Sequence, residues 1–68
     1  MTAREWIDRY AAALGTESPS DEQFDAILEL AAVAAHDSER VAAPVACWMG
    51  GASGRSLTEL QEIAKGIG

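Results

Sequence analysis

Three short signatures of one kind punctuate this chain: Thr2-x-x-Glu5, Ser20-x-x-Gln23 and Ser56-x-x-Glu59. Each is a capping box. The hydroxyl accepts a hydrogen bond from a free N–H of the first helical turn, and the acid or amide three residues on reaches back to the cap. Each is followed by apolar residues at helical spacing. Trp6, Ile7, Tyr10, Ala11 and Leu14 share one face after the first box. Phe24, Ile27, Leu28, Ala31, Ala34 and Ala35 continue a stripe after the second. Leu57, Leu60, Ile63, Ala64 and Ile67 do so after the third. No alternating β-branched run exists to seed a strand.

Stop signals complete the reading. Gly15 suits a C-cap, where positive φ is needed. Residues 16–19 form a connector, and the second helix is expected to end between Asp37 and Arg40. Pro44 disfavours the α conformation at Ala43 and suits a first helical turn. A third helix is expected from there through Val45, Trp48 and Met49, stopping at Gly50, Gly51 and Gly54. Gly66 is expected to stop the fourth, with Lys65 near its negative end. The prediction is a single all-α domain: a compact bundle of four short helices over about 2–14, 20–37, 44–50 and 56–66.

Size then limits stability. A chain of 68 residues buries a modest share of its surface, so its core is marginal. One cysteine forms no internal disulfide, and one Cys with one His does not make a structural zinc site. Packing or self-association remains. The chain is 49% hydrophobic, and much of that is alanine, which buries little area per residue. A homodimer, or docking on a larger partner, is expected.

The formal net charge of −6 argues against nucleic-acid binding and against attraction to an anionic membrane. No apolar run approaches the roughly 20 residues of a membrane span. Met1-Thr2-Ala3-Arg4-Glu5 leads straight into an amphipathic pattern, without a signal-peptide layout. The lone cysteine suits a reducing compartment, and the cytoplasm is the expected location.

The chemistry-bearing residues cluster between Ala34 and Ser56. Gly50-Gly51-Ala52-Ser53-Gly54-Arg55-Ser56 has the look of a phosphate-binding loop. Its glycine spacing is one residue short, Arg55 stands where lysine is required, and no strand precedes it. A capped interhelical turn explains it more simply, although a helix start beside Arg55 suits a stray anion. His36 and Asp37 are sequence neighbours, so on a helix they point about 100° apart and do not make an oriented dyad. His36 and Arg40 share a face if the helix reaches that far. Otherwise His36 serves to end the second helix through a ring nitrogen. Cys47 near a helix start could be nucleophilic, but its apolar neighbours favour burial as a small hydrophobe. Trp6 and Trp48 are the expected core anchors, or one of them sits in a subunit interface. Asp21, Asp25 and Glu29 follow one another at one-turn spacing, the pattern of a solvated face. No catalytic residue, metal site or cofactor site is assigned.

The run Ile27-Leu28-Glu29-Leu30-Ala31, then Ala35-His36, Arg40, Ala43-Pro44-Val45, Trp48-Met49 and Gly51, resembles a small uncharacterised actinobacterial helical domain family. Trp6 and Leu14-Gly15 match its first helix. Where the family has hydroxyl-bearing residues after the proline, this chain has Ala46 and Cys47. Such domains occur alone or as C-terminal extensions of molybdenum-cofactor guanylyltransferases, and some carry the label of molybdopterin-guanine dinucleotide biosynthesis protein A. The resemblance implies an association with molybdenum-cofactor biosynthesis. It does not imply the transferase activity, because the Gly-rich nucleotide-binding segment of that enzyme has no counterpart here. The expected function is a non-catalytic accessory or protein-interaction domain with a molybdenum-cofactor biosynthesis protein as partner. His36, Arg40 and Arg55 are the candidate contacts to a partner or anion. The alternative is a small-molecule, nucleotide or pterin-binding domain, in which those three residues converge around Trp48. An enzyme using His36 or Cys47 ranks third.

Overall fold

The computed structural model describes residues 1–68 and is all-α. Helix α1 spans Ala3–Leu14, α2 Asp21–Asp37, α3 Ala42–Ser53 and α4 Leu57–Ile67. The first two capping boxes are fully formed. Glu5 N donates to Thr2 Oγ1 at 3.1 Å while Thr2 N donates to Glu5 Oε1 at 3.0 Å. Ser20 and Gln23 exchange the same pair at 3.1 and 2.9 Å. The third is half a box: Glu59 N donates to Ser56 Oγ at 3.2 Å, but the Glu59 carboxylate accepts from Arg55 Nη1 at 3.4 Å instead of reaching the cap backbone.

Three helix ends differ from expectation. Helix α3 begins at Ala42, ahead of Pro44. Ala42 N donates to Glu39 O and Ala43 N to Arg40 O, so a tight turn leads into the helix. Pro44 is then third in the helix, where its missing N–H has no intrahelical partner to lose. At the other end, Gly50 and Gly51 are helical, and α3 stops at Gly54, whose φ of +73° is left-handed. Gly15 ends α1 the same way at +78°. Gly66 is no stop, because α4 runs on to Ile67.

Helix α2 is the hub. It packs along both α3 and α4, whereas α1 has no comparably extended contact with any other helix. Helix α1 is tied to the α2 start mainly by polar groups. The Arg4 guanidinium donates to Pro19 O, lies 3.5 Å from Asp8 and 4.0 Å from Asp21, and sits 5.0 Å from the Phe24 ring centroid. Ser18 Oγ donates to Asp8. At the α2–α4 contact, Gln61 Nε2 donates to Ala26 O at 3.0 Å and to Glu29 Oε2 at 3.2 Å.

Only Ala11, Leu30 and Gly50 are buried. Neither tryptophan is a core anchor: Trp6 is 53% exposed and stacks on the exposed Tyr10 at 5.1 Å, and Trp48 is 75% exposed. Large side chains do not fit between helices that meet through alanine and glycine. The accessible surface is 5226 Å², against about 4,100 Å² for a compact monomer of 7.2 kDa. The Cα radius of gyration is 12.4 Å, against about 11 Å for a compact chain of this length.

Candidate functional site

Helix α3 has two apolar faces. Ala43, Ala46, Cys47 and Gly50 recur at helical spacing and are half-buried or buried. This face of small residues meets α2 and α4. A Cβ built on Gly50 would stand 2.8 Å from Leu60 Cδ1. The Cys47 thiol makes a long contact of 3.9 Å to Ile27 O. Burial pushes this thiol above its ordinary pKa, which makes it a weaker nucleophile at neutral pH.

The opposite face carries Val41, Val45, Trp48, Met49 and Ala52, all turned to solvent. Val41 precedes the first helical residue, but its φ of −66° and ψ of −19° keep it on the helical path. No Asp, Glu, Lys or Arg lies between Arg40 and Arg55. An all-apolar helix is ordinarily buried on every side. Here one side is covered and the other is not. The four large side chains, each 57–75% exposed, present on the order of 500 Å², at the upper end of the largest apolar patch on a typical monomer.

A groove of about 670 Å³ opens beside this face. Ile27 and Leu30 of α2, Cys47 and Trp48 of α3 and Leu60 of α4 give it apolar walls, and Gln23 and Arg55 add polar groups. Its volume lies within the range of small-molecule sites.

The candidates read from the sequence are divided by the structure. Trp48 and Arg55 meet on the groove. His36 and Arg40 do not line it. They also do not share a helical face, because α2 ends at Asp37. His36 does not cap that end; Ser38 Oγ donates to Ala34 O at 2.7 Å in that role. The side chains of His36 and Arg40 are exposed and take part in no hydrogen bond or ion pair. His36 and Cys47 are not hydrogen-bonded to each other, and Cys47 is bonded to Ile27 instead. Asp21, Asp25 and Glu29 are exposed along α2, and no three metal-ligating side chains converge anywhere. No helix is long and apolar enough to cross a membrane.

The exposed stripe of α3 is the feature that sequence reading missed. Its signal was present: an uncharged stretch from Val41 to Gly54 with large residues on one side and small ones on the other. Arg4 and Gln61, which hold helices together, were missed too, since a long polar side chain carries no mark of its tertiary partner.

The site is therefore a partly open apolar surface on a small all-α domain, with no cluster of catalytic type. The chain belongs to the family described as Domain of unknown function (DUF6457), whose model matches residues 1–67. No curated protein matches the chain, and no solved structure matches it.

Proposed function

We propose that this chain is a non-catalytic protein-interaction domain that docks through the exposed face of α3. The carrying observation is that face: four large apolar side chains without a charge among them, on a domain with more surface than its mass requires. Trp48 at its centre has the size and rigidity of an interface anchor. The resemblance to domains appended to molybdenum-cofactor guanylyltransferases makes the biosynthetic enzymes of that cofactor the partner class, acting in the cytoplasm. The test is capture of those purified enzymes by the immobilised chain. Trp48→Asp is expected to abolish capture. His36→Ala and Arg40→Ala report whether the polar end of the segment contributes. Unchanged molybdoenzyme activity in cells lacking this chain rejects the molybdenum link.

The groove favours a second reading, a pterin- or nucleotide-binding domain, with Arg55 as the counter-charge and Trp48 as an apolar wall. It predicts a change in tryptophan fluorescence on titration with a pterin or a guanine nucleotide. A flat titration together with an unchanged melting temperature rejects it.

A further inference from the structure

We propose that the exposed α3 face takes a second copy of this chain, helix against helix in antiparallel order about a two-fold axis; the proposal rests on the docking reading above and names its occupant. The area suits a modest dimer. The face presents on the order of 500 Å² of apolar side chain, the apolar centre of an interface whose standard size takes about 800 Å² from each partner. The exposed polar residues at either end of the stripe, Glu39 and Arg55, supply its rim.

The spacing is that of a helix pair. Val41, Val45, Trp48 and Ala52 stand at i, i+4, i+7 and i+11, the seam of a two-helix contact. An isologous contact must be complementary to itself. Antiparallel order about the midpoint of the Val41–Ala52 stripe sets Trp48 against Val45 of the second copy, and Val41 against its Ala52. The bulkier side chain then faces the smaller one in each pair. Parallel order would set Trp48 against Trp48 and leave Ala52 opposite Ala52. Antiparallel order also brings opposite helix-dipole ends together.

Charge points the same way. Two chains of net charge −6 repel at long range, but the apposed stretch is uncharged. At its ends, the exposed Glu39 of one copy comes beside Arg55 of the other. The acidic residues of α2 lie on a different helix from the seam.

Sedimentation equilibrium from about 1 µM to about 1 mM tests this, with helicity followed by circular dichroism. The wild type is expected to dimerise. Trp48→Asp is expected to weaken the dimer at least about 30-fold, as loss of a central anchor does, with helicity unchanged because Trp48 is exposed. Val45→Lys and Trp48→Glu are each expected to be monomeric and to form a heterodimer when mixed, because the antiparallel order sets position 45 of one copy against position 48 of the other. A wild type that stays monomeric throughout overturns the proposal. So does a dimer indifferent to Trp48→Asp. A monomer still captured through Trp48 by molybdenum-cofactor enzymes overturns self-pairing and leaves the docking reading standing. A dimer that captures none of them supports self-pairing and rejects that partner class.

Discussion

Gly50 of α3 lies directly against Leu60 of α4, so that a Cβ at Gly50 would stand 2.8 Å from Leu60 Cδ1. This approach is why a glycine is held in the middle of a helix despite its entropic cost. The neighbouring Gly51 has nothing within 4 Å of its would-be Cβ.

The two glycines are therefore expected to respond differently to alanine. Gly51→Ala should stabilise the fold by about 0.5–1 kcal/mol through helix propensity alone. Gly50→Ala gains the same propensity but must turn the end of the Leu60 side chain aside, at a cost of about 1 kcal/mol. Urea unfolding of the two variants should separate them by about 1 kcal/mol. Equal stabilities would show that the helices do not approach this closely.

Gly54 and Gly15 share a left-handed conformation. Alanine at Gly54 should cost about 1 kcal/mol or more, because a Cβ is strained at positive φ. Gly15→Ala carries the same local strain. Its effect on global unfolding should be smaller, since α1 is not packed along the α2–α3–α4 unit. A larger global loss at Gly15 than at Gly54 would place α1 in the cooperative core.

Arg4 holds α1 to the start of α2 through Pro19 O, Asp8, Asp21 and the Phe24 ring. Arg4→Met keeps the stem and removes the guanidinium. Amide exchange in α1 is expected to accelerate by about 10-fold, equivalent to a loss of about 1.4 kcal/mol, while exchange in the middle of α2 stays unchanged. Uniform acceleration through all four helices would mean that α1 unfolds only with the whole domain.

Burial raises the Cys47 pKa above its ordinary value. The folded state thus holds the thiol proton more tightly than the unfolded state. The stability linked to this proton is complete below the unfolded thiol pKa and is lost as pH rises through the folded one. Cys47→Ser is expected to remove that alkaline decline and leave the neutral and acid behaviour unchanged. Alkylation of the native thiol should reach half its maximal rate at higher pH than alkylation of the unfolded chain. Coincident profiles would contradict the burial.

The His36 and Arg40 side chains make no hydrogen bond or ion pair. Alanine at either position is expected to change stability by no more than about 0.5 kcal/mol in thermal unfolding. A larger loss would give these residues a structural role that the fold does not display.

Much of the architecture is written locally. The capping residues Thr2, Ser20 and Ser56 need only their own next three residues to start a helix, and Gly15 and Gly54 need only their own φ to end one. The start of α3 was harder to read, because the Glu39–Ala43 turn precedes Pro44 and competes with its preference for an extended neighbour. Gly50 and Gly51 read as breakers because isolated glycines often are. Both lie inside α3, and at Gly50 the absence of a side chain admits Leu60, ten residues away in the chain. The candidate site was half legible for the same reason: Trp48 and Arg55 do meet on one groove, while the pairing of His36 with Arg40 depended on a helix end decided by the Ser38 hydroxyl.

By itself, the sequence determined four helices, most of their caps and an acidic surface, since each follows from short-range hydrogen bonding and side-chain spacing. Only the tertiary structure decided which face of α3 is covered. Both faces are apolar, so hydrophobic pattern does not distinguish them. Side-chain size does: alanine, cysteine and glycine admit α2 and α4 at close range, and Val41, Val45, Trp48 and Met49 are left outside.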